Sequence, residues 1–509
     1  MHVSRIDSAL IDPGRLDADF YYPEYLAIEA LIKRRRYTRL SECGRFFAGP
    51  FGSKLPNSIY LKKGVPLFRV GNVGKCELVL DNMAHIDERT HRDLKASEVV
   101  PGDLLIVKAS VGEKVCRVPH WMARANITQH IIGVRPNEKY DIDYVSAFLL
   151  AKYGRKQLER YSLGSIIQYL GINDARSILI PLVEPEVQAY IGEKIRLVGL
   201  FREKAEVCKR AALLVFEGDI SWSSELLDVA AYGRIRSSEL GPRLDYRFNS
   251  LKRIAVERHF ERSLVTTNQL ADIAFISGMI GWKGLTTDYY VEKGPWLLRG
   301  VEVVDGVIQT DDLVCVDESK YLEQPQIHLV EGDVALTKDG SLGKAVVIPK
   351  LPNRLAAGST VARVRKKDET DIGAYYLEFA LNHACVHEQI ESYATGVAQP
   401  HVTQEWIGVL KIPRSQREKE IEALWKLHHE YRYYSNKLVD VAKKIVEAMI
   451  DGKISECDIS TAIRFQESAD RAIISRLKIG GIDGAGEAVI SDADRLYELV
   501  EQATRELEA

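Results

Sequence analysis

The sequence predicts an α+β protein. It should contain two repeated domains of short, mixed-sheet strands and two long helices that form an antiparallel coiled coil, with a pseudo-two-fold relation between the halves. Three observations support this prediction. The chain carries an ordered internal repeat, each repeat is rich in short apolar segments bounded by Gly, Pro, Asn and Asp, and each repeat is followed by a long segment with heptad spacing.

The repeat joins pairs of segments that keep their order along the chain, about 230 residues apart. It is too long for a solenoid unit and indicates two copies of a whole domain, which predicts two related binding surfaces. The matched segments are 16–20 and 244–248, 49–55 and 278–285, 101–105 and 331–335, 108–119 and 338–349, 164–168 and 396–399, and 180–181 and 412–413.

The repeats divide the chain into segments that we name here. They are an N-terminal arm (1–15), copy one (16–182), the segment of spacer helix 1 (183–220), a linker (221–243), copy two (244–413), the segment of spacer helix 2 (414–454) and the C-terminal extension (455–509).

Each copy is expected to open with a helix, continue with short strands and end with a second helix before a last short strand. The predicted helices are Tyr21–Arg36 and Asp143–Tyr161 in copy one, and Phe248–Arg262 and Thr370–Tyr393 in copy two. The predicted strands are Val65–Val70, Leu104–Lys108, Ile131–Val134, Trp296–Leu298, Val334–Thr337 and Ala345–Ile348.

The two spacer helices, predicted at 186–217 and 415–451, each carry one apolar stripe near heptad spacing, with a break around Lys194 in the first. Some 32 residues make a rod of roughly 48 Å. A lone rod of that length would leave much of its stripe in water, which favours pairing of the two helices. The alternative is that each helix covers the sheet of its own domain.

Composition indicates an ordinary soluble globular protein, with 46% hydrophobic and 28% charged residues. The seven cysteines form no C-x-x-C pair, which indicates reduced thiols rather than disulfides or zinc ligands. No run of about 18 apolar residues and no apolar signal core occurs. These features predict a cytoplasmic protein.

The net charge of −3 hides an uneven distribution. Residues 45–135 carry 14 Lys/Arg against 8 Asp/Glu, whereas residues 277–365 carry 10 against 12. Residues 455–509 carry 6 Lys/Arg against 12 Asp/Glu. Charge therefore favours nucleic-acid binding by copy one and does not favour it for copy two. The acidic extension is expected to form helices Ile459–Lys478 and Ser491–Glu508 joined by a flexible glycine hinge, and to dock a partner or cover the coiled coil.

Signatures of catalysis are absent from the sequence. There is no Pro-Pro pair, so the Asn/Asp-Pro-Pro-aromatic loop of an amino-methyltransferase is missing, and there is no Gly-x-x-x-x-Gly-Lys-Ser/Thr phosphate loop. No metal-ligand spacing such as H-x-x-x-H occurs. A scattered nuclease pattern, as in the carboxylates and lysines of 331–338, arises by chance in chains of this length.

The order of domain, long helix, related domain and long helix, with a Gly/Gln turn and an Ile-Pro pair before each helix, resembles the DNA specificity subunit of type I restriction-modification systems. The alternative is that the chain resembles a closely related methylation-linked phage-defence specificity factor. The resemblance covers about residues 16–454. It implies that each copy is a target recognition domain that reads one half of a split, asymmetric DNA site. It also implies that the coiled coil sets the spacing of the two half-sites.

The resemblance further implies a chain without catalysis or cofactor of its own. Such a subunit docks two DNA methyltransferase subunits, which bind S-adenosylmethionine, and motor-nuclease subunits join for cleavage. The second hypothesis is a self-sufficient DNA nuclease or modification enzyme with an unrecognised active site.

Candidate DNA-binding residues are polar side chains in loops, especially lysines shared by the two copies, because base readout and phosphate contacts need such groups. They are Lys54, Asn57, Arg69, Asn72, Lys108, Ser110, Lys114 and Arg124 in copy one, and Lys283, Thr286, Arg299, Lys338, Ser341 and Lys344 in copy two.

Overall fold

The computed structural model describes residues 6–7, 11, 15–50, 55–80, 82–108, 112–163, 169–230, 233–279, 286–304, 306–465 and 467–508. The chain forms two compact units. Unit 1 comprises Met1–Glu203 with Tyr431–Ala509, and unit 2 comprises Lys204–Glu430. Copy one therefore lies in unit 1 and copy two in unit 2. The predicted α+β class is confirmed.

Copy one consists of short strands, a few helices and the start of spacer helix 1. Its strands are β1 (Tyr37–Arg39), β2 (Gly44–Ala48), β3 (Val65–Phe68), β4 (Ala84–Ile86), β5 (Glu98–Val99), β6 (Leu104–Val107), β7 (Val115–Arg117), β8 (Ala125–Ile127), β9 (Ile131–Pro136), β10 (Ser162–Leu163), β11 (Tyr169–Leu170) and β12 (Leu179–Pro181). Its helices are α1 (Pro23–Lys33), α2 (Glu88–Asp93), α3 (Ile142–Leu150), α4 (Lys152–Tyr161) and α5 (Ile172–Arg176), and spacer helix 1 is α6 (Pro185–Asp219).

Copy two repeats this plan. Its helices are α7 (Leu251–Arg262), α8 (Leu270–Ile273), α9 (Glu318–Glu323), α10 (Ala374–Asn382), α11 (Ala384–Tyr393) and α12 (Gln404–Gly408), and spacer helix 2 is α13 (Glu418–Ile450). Its strands are β13 (Thr267–Gln269), β14 (Ala274–Gly278), β15 (Tyr290–Leu298), β16 (Val303–Val304), β17 (Val307–Ile308), β18 (Val314–Val316), β19 (His328–Leu329), β20 (Val334–Thr337), β21 (Ala345–Val347), β22 (Leu355–Ala357), β23 (Val361–Lys366) and β24 (Lys411–Pro413).

The sheets of the two copies have the same topology. The antiparallel sheet β2-β9-β6-β7 of copy one corresponds to β14-β23-β20-β21 of copy two. The mixed sheet β4-β3-β8-β5 corresponds to β18-β15-β22-β19, and in each the two central strands are parallel. A two-stranded pair, β1-β12 or β13-β24, joins the beginning of each copy to its end. The predicted repeat is therefore confirmed in these three sheets of each copy.

An ion pair with a buried carboxylate occupies the same place in both copies. The carboxylate of Asp103, 1% exposed, binds Arg135 at 2.8 Å, and that of Asp333, 2% exposed, binds Arg365 at 2.6 Å. Each carboxylate also accepts a main-chain N–H three residues earlier in the chain. Buried charges require such partners, so the pair fixes the turn before β6 and β20 in each copy.

The helix predicted near the end of each copy is two helices. Helices α3 and α4 are separated by Ala151, whose ψ of 160° is extended, and α10 and α11 are separated by His383, with a ψ of 145°. Each break starts a new helix, and the His383 side chain caps α11 by accepting the N–H of Cys385. The single helices predicted at 143–161 and 370–393 were wrong in this respect.

The two spacer helices pair antiparallel within each unit. In unit 1, Val183, just before spacer helix 1, lines a cavity together with Met449, and the Phe201 ring lies 5.2 Å from that of Tyr431. The partner numbers therefore fall as the spacer helix 1 numbers rise. Antiparallel pairing is confirmed here.

In unit 2 the direction is the same. Nδ1 of His428 donates to the carbonyl of Ala205 at 2.8 Å, and Arg417 binds Asp219 at 2.7 Å. Spacer helix 1 also packs on copy two, because the Phe216 ring lies 5.2 Å from that of Phe379 in α10. In unit 2 the apolar stripe of spacer helix 1 therefore contacts a helix of copy two as well as spacer helix 2.

The C-terminal extension is more ordered than the sequence suggested. It forms α14 (Glu456–Phe465), α15 (Glu467–Arg476), a hairpin of β25 (Leu477–Lys478) and β26 (Gly481–Ile482), and α16 (Ala493–Glu508). The predicted flexible glycine hinge is instead a turn beside this hairpin, in which Gly480 donates to the carbonyl of Ala485 at 3.0 Å. The extension covers the spacer helices of unit 1, where Ser460 binds Glu186 and Tyr434 donates to the carbonyl of Asp492.

In the described part of the chain, no helix has both the length and the apolar character needed to span a membrane.

Candidate nucleic-acid interface

Each copy has an edge where several strands end together, which we call the loop edge. In copy one the parallel strands β3 and β8 end side by side, and Arg69 and Thr128 follow them. Strand β6 ends at the same edge, just before Lys108. Its last residues, Ile106 and Val107, pair with the first residues of β9, and β9 begins directly after the loop 128–130. The sequence therefore brings polar loop residues from three strands to one place.

Main-chain hydrogen bonds join these loops. Lys108 donates to the carbonyl of His130 at 2.8 Å and accepts from Leu170 at 2.9 Å. Thr128 donates to Phe68 at 3.1 Å, and Val107 to Lys114 at 3.2 Å. The loops therefore form one connected surface.

The same bonds recur in copy two. Lys338 donates to the carbonyl of Thr360 at 2.8 Å and accepts from Val402 at 2.9 Å. The remaining two bonds run from Gly358 to Leu298 at 2.7 Å and from Thr337 to Lys344 at 2.9 Å. The loop edge is thus built twice on the same scaffold.

The turn of residues 69–72, which we call the Arg69 turn, is held by the buried side-chain amide of Asn72. Oδ1 of Asn72 accepts the main-chain N–H of Arg69 at 3.0 Å, and Nδ2 of Asn72 donates to the carbonyl of Val79 at 2.9 Å. Asn72 is 2% exposed, so it holds the turn and offers DNA almost no surface. The Arg69 guanidinium donates to the carbonyl of Asn82, while its Nε is buried without a hydrogen-bond partner among the described residues.

The corresponding turn of copy two contains a carboxylate instead. Oε2 of Glu302 accepts the main-chain N–H of Arg299 at 2.7 Å, and Oε1 binds the guanidinium Nε at 2.9 Å. Glu302 is 1% exposed, and its hydrogen bond raises the pKa of Arg299. The charge of Arg299 is therefore neutralised within the domain.

A pocket of about 760 Å³ opens at the loop edge of copy one. Nδ1 of His130, like Nε of Arg69, is buried there without a partner among the described residues. Buried polar groups are normally paired, so this pocket is suited to a ligand with hydrogen-bonding groups. The described lining residues are Pro50, Leu55, Pro56, Tyr60, Arg69, Val70, Gly71, Asn72, Val79, Asn82, Thr128, Gln129 and His130.

The two shared lysines at the ends of β6 and β20 are buried, contrary to the sequence-based expectation of exposed loop cations. Lys108 is 6% exposed with its Nζ 5.5 Å from the centre of the Tyr169 ring, and burial lowers its pKa. Lys338 is 9% exposed and binds Asp339 at 3.1 Å, whose carboxylate also binds His401. Neither ammonium group is presented to solvent as a phosphate contact requires.

Other candidates at the loop edge remain accessible. Lys344 is exposed and Lys114 half-buried, and both precede strands that pair with β20 and β6. Ser341 is exposed in the loop between β20 and β21, where its carbonyl accepts from Thr337.

Two candidates lie away from this edge. Arg124 precedes β8, at the opposite end of that strand from Thr128, and pairs with Glu88. Thr286 precedes β15, at the opposite end from Arg299. Lys54, Ser110 and Lys283 lie outside the described residues, as does the side chain of Asn57.

A hairpin of residues 73–78 follows the Arg69 turn, and neither this hairpin nor the residue that holds it was predicted from the sequence. Arg202 of spacer helix 1 donates to the carbonyls of Lys75, at 2.9 Å, and Cys76, and it binds Asn436 of spacer helix 2 at 3.2 Å. All of these residues belong to unit 1. The only available signal was a charged residue beside the apolar heptad position Phe201.

Among the described residues, no group of three or more His, Cys, Asp or Glu side chains is arranged to hold a metal ion. The loop edge instead offers amides, guanidinium groups, hydroxyls and main-chain groups, which bind by hydrogen bonding.

Comparison with known proteins finds similarity in solved structures. No protein-family model matches the chain, and no curated protein matches it. The S subunit of a type I restriction-modification system from M. genitalium has 13% sequence identity and a TM-score of 0.39, with 82% of this chain and 95% of that chain covered. The HsdS subunit from Thermoanaerobacter tengcongensis has 14% identity and a TM-score of 0.28, with coverage of 82% and 97%.

A third similar structure comes from work on assembly of the type I restriction-modification system, with 14% identity, a TM-score of 0.27 and coverage of 82% and 96%. The type IIG restriction endonuclease BpuSI matches more partially, with 9% identity, a TM-score of 0.27 and coverage of 67% and 43%. All four TM-scores lie below 0.5, so these likenesses do not by themselves define a function.

Proposed function

We propose that this chain is a non-catalytic DNA sequence-recognition subunit. Each copy reads one half of a bipartite, asymmetric site in double-stranded DNA through its loop edge. The observation that carries the proposal is the duplicated loop edge, in which the same four main-chain bonds hold different side chains in the two copies. A scaffold repeated with altered polar side chains is what two unlike half-sites require.

The chain directs two DNA methyltransferase subunits to this site, and motor-nuclease subunits join them where DNA is cleaved. S-adenosylmethionine is bound by the methyltransferase subunits and not by this chain. This part of the proposal rests on the sequence resemblance to type I specificity subunits and on the absence of a methyltransferase loop from the sequence.

The first test is the selection of duplexes from a randomised library by the purified full chain. The selected DNA is then incubated with the chain, Mg²⁺ and S-adenosylmethionine. We expect two separated blocks of preferred sequence, and neither methyl transfer nor cleavage by the chain alone. A single contiguous block would contradict the bipartite site. Methylation or cleavage without partners would instead support the self-sufficient enzyme.

The accessible lysines of the loop edge give a second test. Lys108 and Lys338 are buried, so we propose that Lys114 and Lys344 make the phosphate contacts of the two copies. The double variant Lys114→Gln, Lys344→Gln should weaken binding to all duplexes and lower the slope of log K against log salt by up to about 1.8, or 0.9 per lost phosphate contact.

The matched control changes two exposed lysines at the far ends of the same sheets. Lys139 follows β9 and Lys366 ends β23, so Lys139→Gln, Lys366→Gln removes the same charge away from the loop edge. Equal salt slopes for the two double variants would show that the loop edge does not face the phosphates.

A further inference from the structure

The Arg69 turn and its counterpart in copy two, residues 299–302, which we call the Arg299 turn, differ in their fourth residue. This residue is an asparagine in copy one and a glutamate in copy two. In both, the side chain of the fourth residue, Asn72 or Glu302, is buried and accepts the main-chain N–H of the arginine. The turn geometry is therefore the same. What differs is the second polar group at that position, an amide N–H₂ in copy one and a second carboxylate oxygen in copy two.

That second group decides whether the arginine is available. In copy two, Oε1 of Glu302 accepts from Nε of Arg299 at 2.9 Å and also from its terminal nitrogen. In copy one, Nδ2 of Asn72 is itself a donor and is turned to the carbonyl of Val79. Among the described residues no carboxylate pairs with Arg69, whose terminal nitrogen donates to the carbonyl of Asn82.

Nε of Arg69 lies in the lining of the pocket at the loop edge of copy one. This atom and Nδ1 of His130 are both buried in the lining of the same pocket, and neither has a hydrogen-bond partner within the described ranges of the chain. Leaving a buried donor unpaired is unfavourable, and an incoming acceptor relieves this. The pocket therefore fits a ligand that presents hydrogen-bond acceptors to a guanidinium group.

We propose that Arg69 is a base-reading residue of copy one that recognises guanine, that Asn72 does not neutralise its charge, and that Glu302 prevents Arg299 from the same role. Guanine presents two adjacent acceptors, N7 and O6, on its major-groove edge, and these match the planar donors of arginine. This proposal rests on the proposed function, because it names the base that one loop edge reads.

The experiment repeats the library selection with the full chain and three variants. Asn72→Glu gives copy one the carboxylate of copy two and should remove the preference for guanine at one position of one half-site, on the order of tenfold to a hundredfold, with the other positions unchanged. Arg69→Gln should do the same without adding a buried charge, and it keeps the test decisive where Asn72→Glu does not fold.

Arg45→Gln is the matched control, because this exposed arginine of the same copy pairs with Arg135 near the end of β9 that lies away from the loop edge. Its selected site should equal that of the unaltered chain. Thermal unfolding of each variant establishes that it is folded before selection.

The outcomes separate the two proposals. An unaltered chain that selects no sequence would overturn the proposed function and this inference with it. A chain that selects a bipartite site, with every position unchanged in Arg69→Gln, would overturn only the inference. A uniform loss for all sequences with a shallower salt dependence would also overturn it, because Arg69 would then contact phosphate.

Discussion

Replacing Asp470 with alanine is expected to lower the free energy of unfolding of unit 1 by about 3–5 kcal/mol, the usual effect of breaking a buried ion pair. The Asp470 carboxylate accepts from Nζ of Lys194 at 2.9 Å and from the hydroxyls of Tyr190 and Tyr497. The side chains of Lys194 and Asp470 are only 7% and 12% exposed. The variant would leave the ammonium group buried without its counter-ion.

The same carboxylate gives the unit an acid-sensitive step. Burial raises the pKa of Asp470, but Lys194 and the hydrogen bonds from both tyrosines outweigh burial and lower it below the usual 3.8. A carboxyl with a lowered folded pKa contributes stability that is complete above its unfolded pKa and is lost as pH falls through the folded value. The difference between Asp470→Ala and the unaltered chain should therefore shrink below about pH 4.

Asp494→Ala is the control for this prediction. Asp494 belongs to the same extension, but its side chain is 85% exposed and pairs with Arg471 at the surface. Exposed pairs contribute about 0–1 kcal/mol. Urea unfolding of the two variants is the measurement, and similar midpoints for both would show that the buried pair does not hold the extension on spacer helix 1.

Replacing Arg202 with methionine is expected to destabilise unit 1 by about 2–4 kcal/mol, because it leaves two part-buried carbonyl acceptors without the guanidinium. The Arg202 side chain is 11% exposed and holds the carbonyls of Lys75 and Cys76. Cys76 has a φ of +54°, a backbone conformation that residues other than glycine rarely adopt. The guanidinium is therefore needed to hold these carbonyls in place.

This variant should also loosen the turn that carries Arg69. The hairpin returns to that turn through the N–H of Val79, which donates to the carbonyl of Asn72 at 2.9 Å. Hydrogen exchange at Gly74 and Val79 should therefore become faster in Arg202→Met. Arg210→Met is the control, because this exposed arginine of the same helix donates to the main chain of Glu206 in its own helix. Unchanged exchange at both amides would contradict the role of Arg202.

The sequence predicted the parts of the fold that depend on periodicity. Heptad spacing placed the spacer helices within three residues of their observed ends, Pro185–Asp219 and Glu418–Ile450. The break in that spacing at Lys194 has a physical cause, since this position faces Asp470 of the extension rather than an apolar side chain. The breaks at Ala151 and His383 were missed because neither is a proline or glycine, and tertiary packing decides them.

The site was predicted only in part. The arginine turns, Lys114 and Lys344 do lie at the loop edge, because polar residues that follow strands mark strand ends. The burial of Lys108 and Lys338 could not be predicted, since it depends on Tyr169 and on Asp339 with His401, which other segments supply. The different roles of Asn72 and Glu302 could not be predicted either, because they depend on both side chains turning inward to accept the main-chain N–H of their arginine.

The bonds that join the loops of each copy have an evolutionary consequence. They run between main-chain atoms, from Lys108 to His130 and from Lys338 to Thr360, so any residue can stand at the acceptor position and any residue except proline at the donor position. Lineages can therefore exchange residues around the pocket while the framework beneath it persists. Divergence after duplication then needs few coordinated changes, and a histidine in one half can correspond to a threonine in the other without loss of the shared architecture.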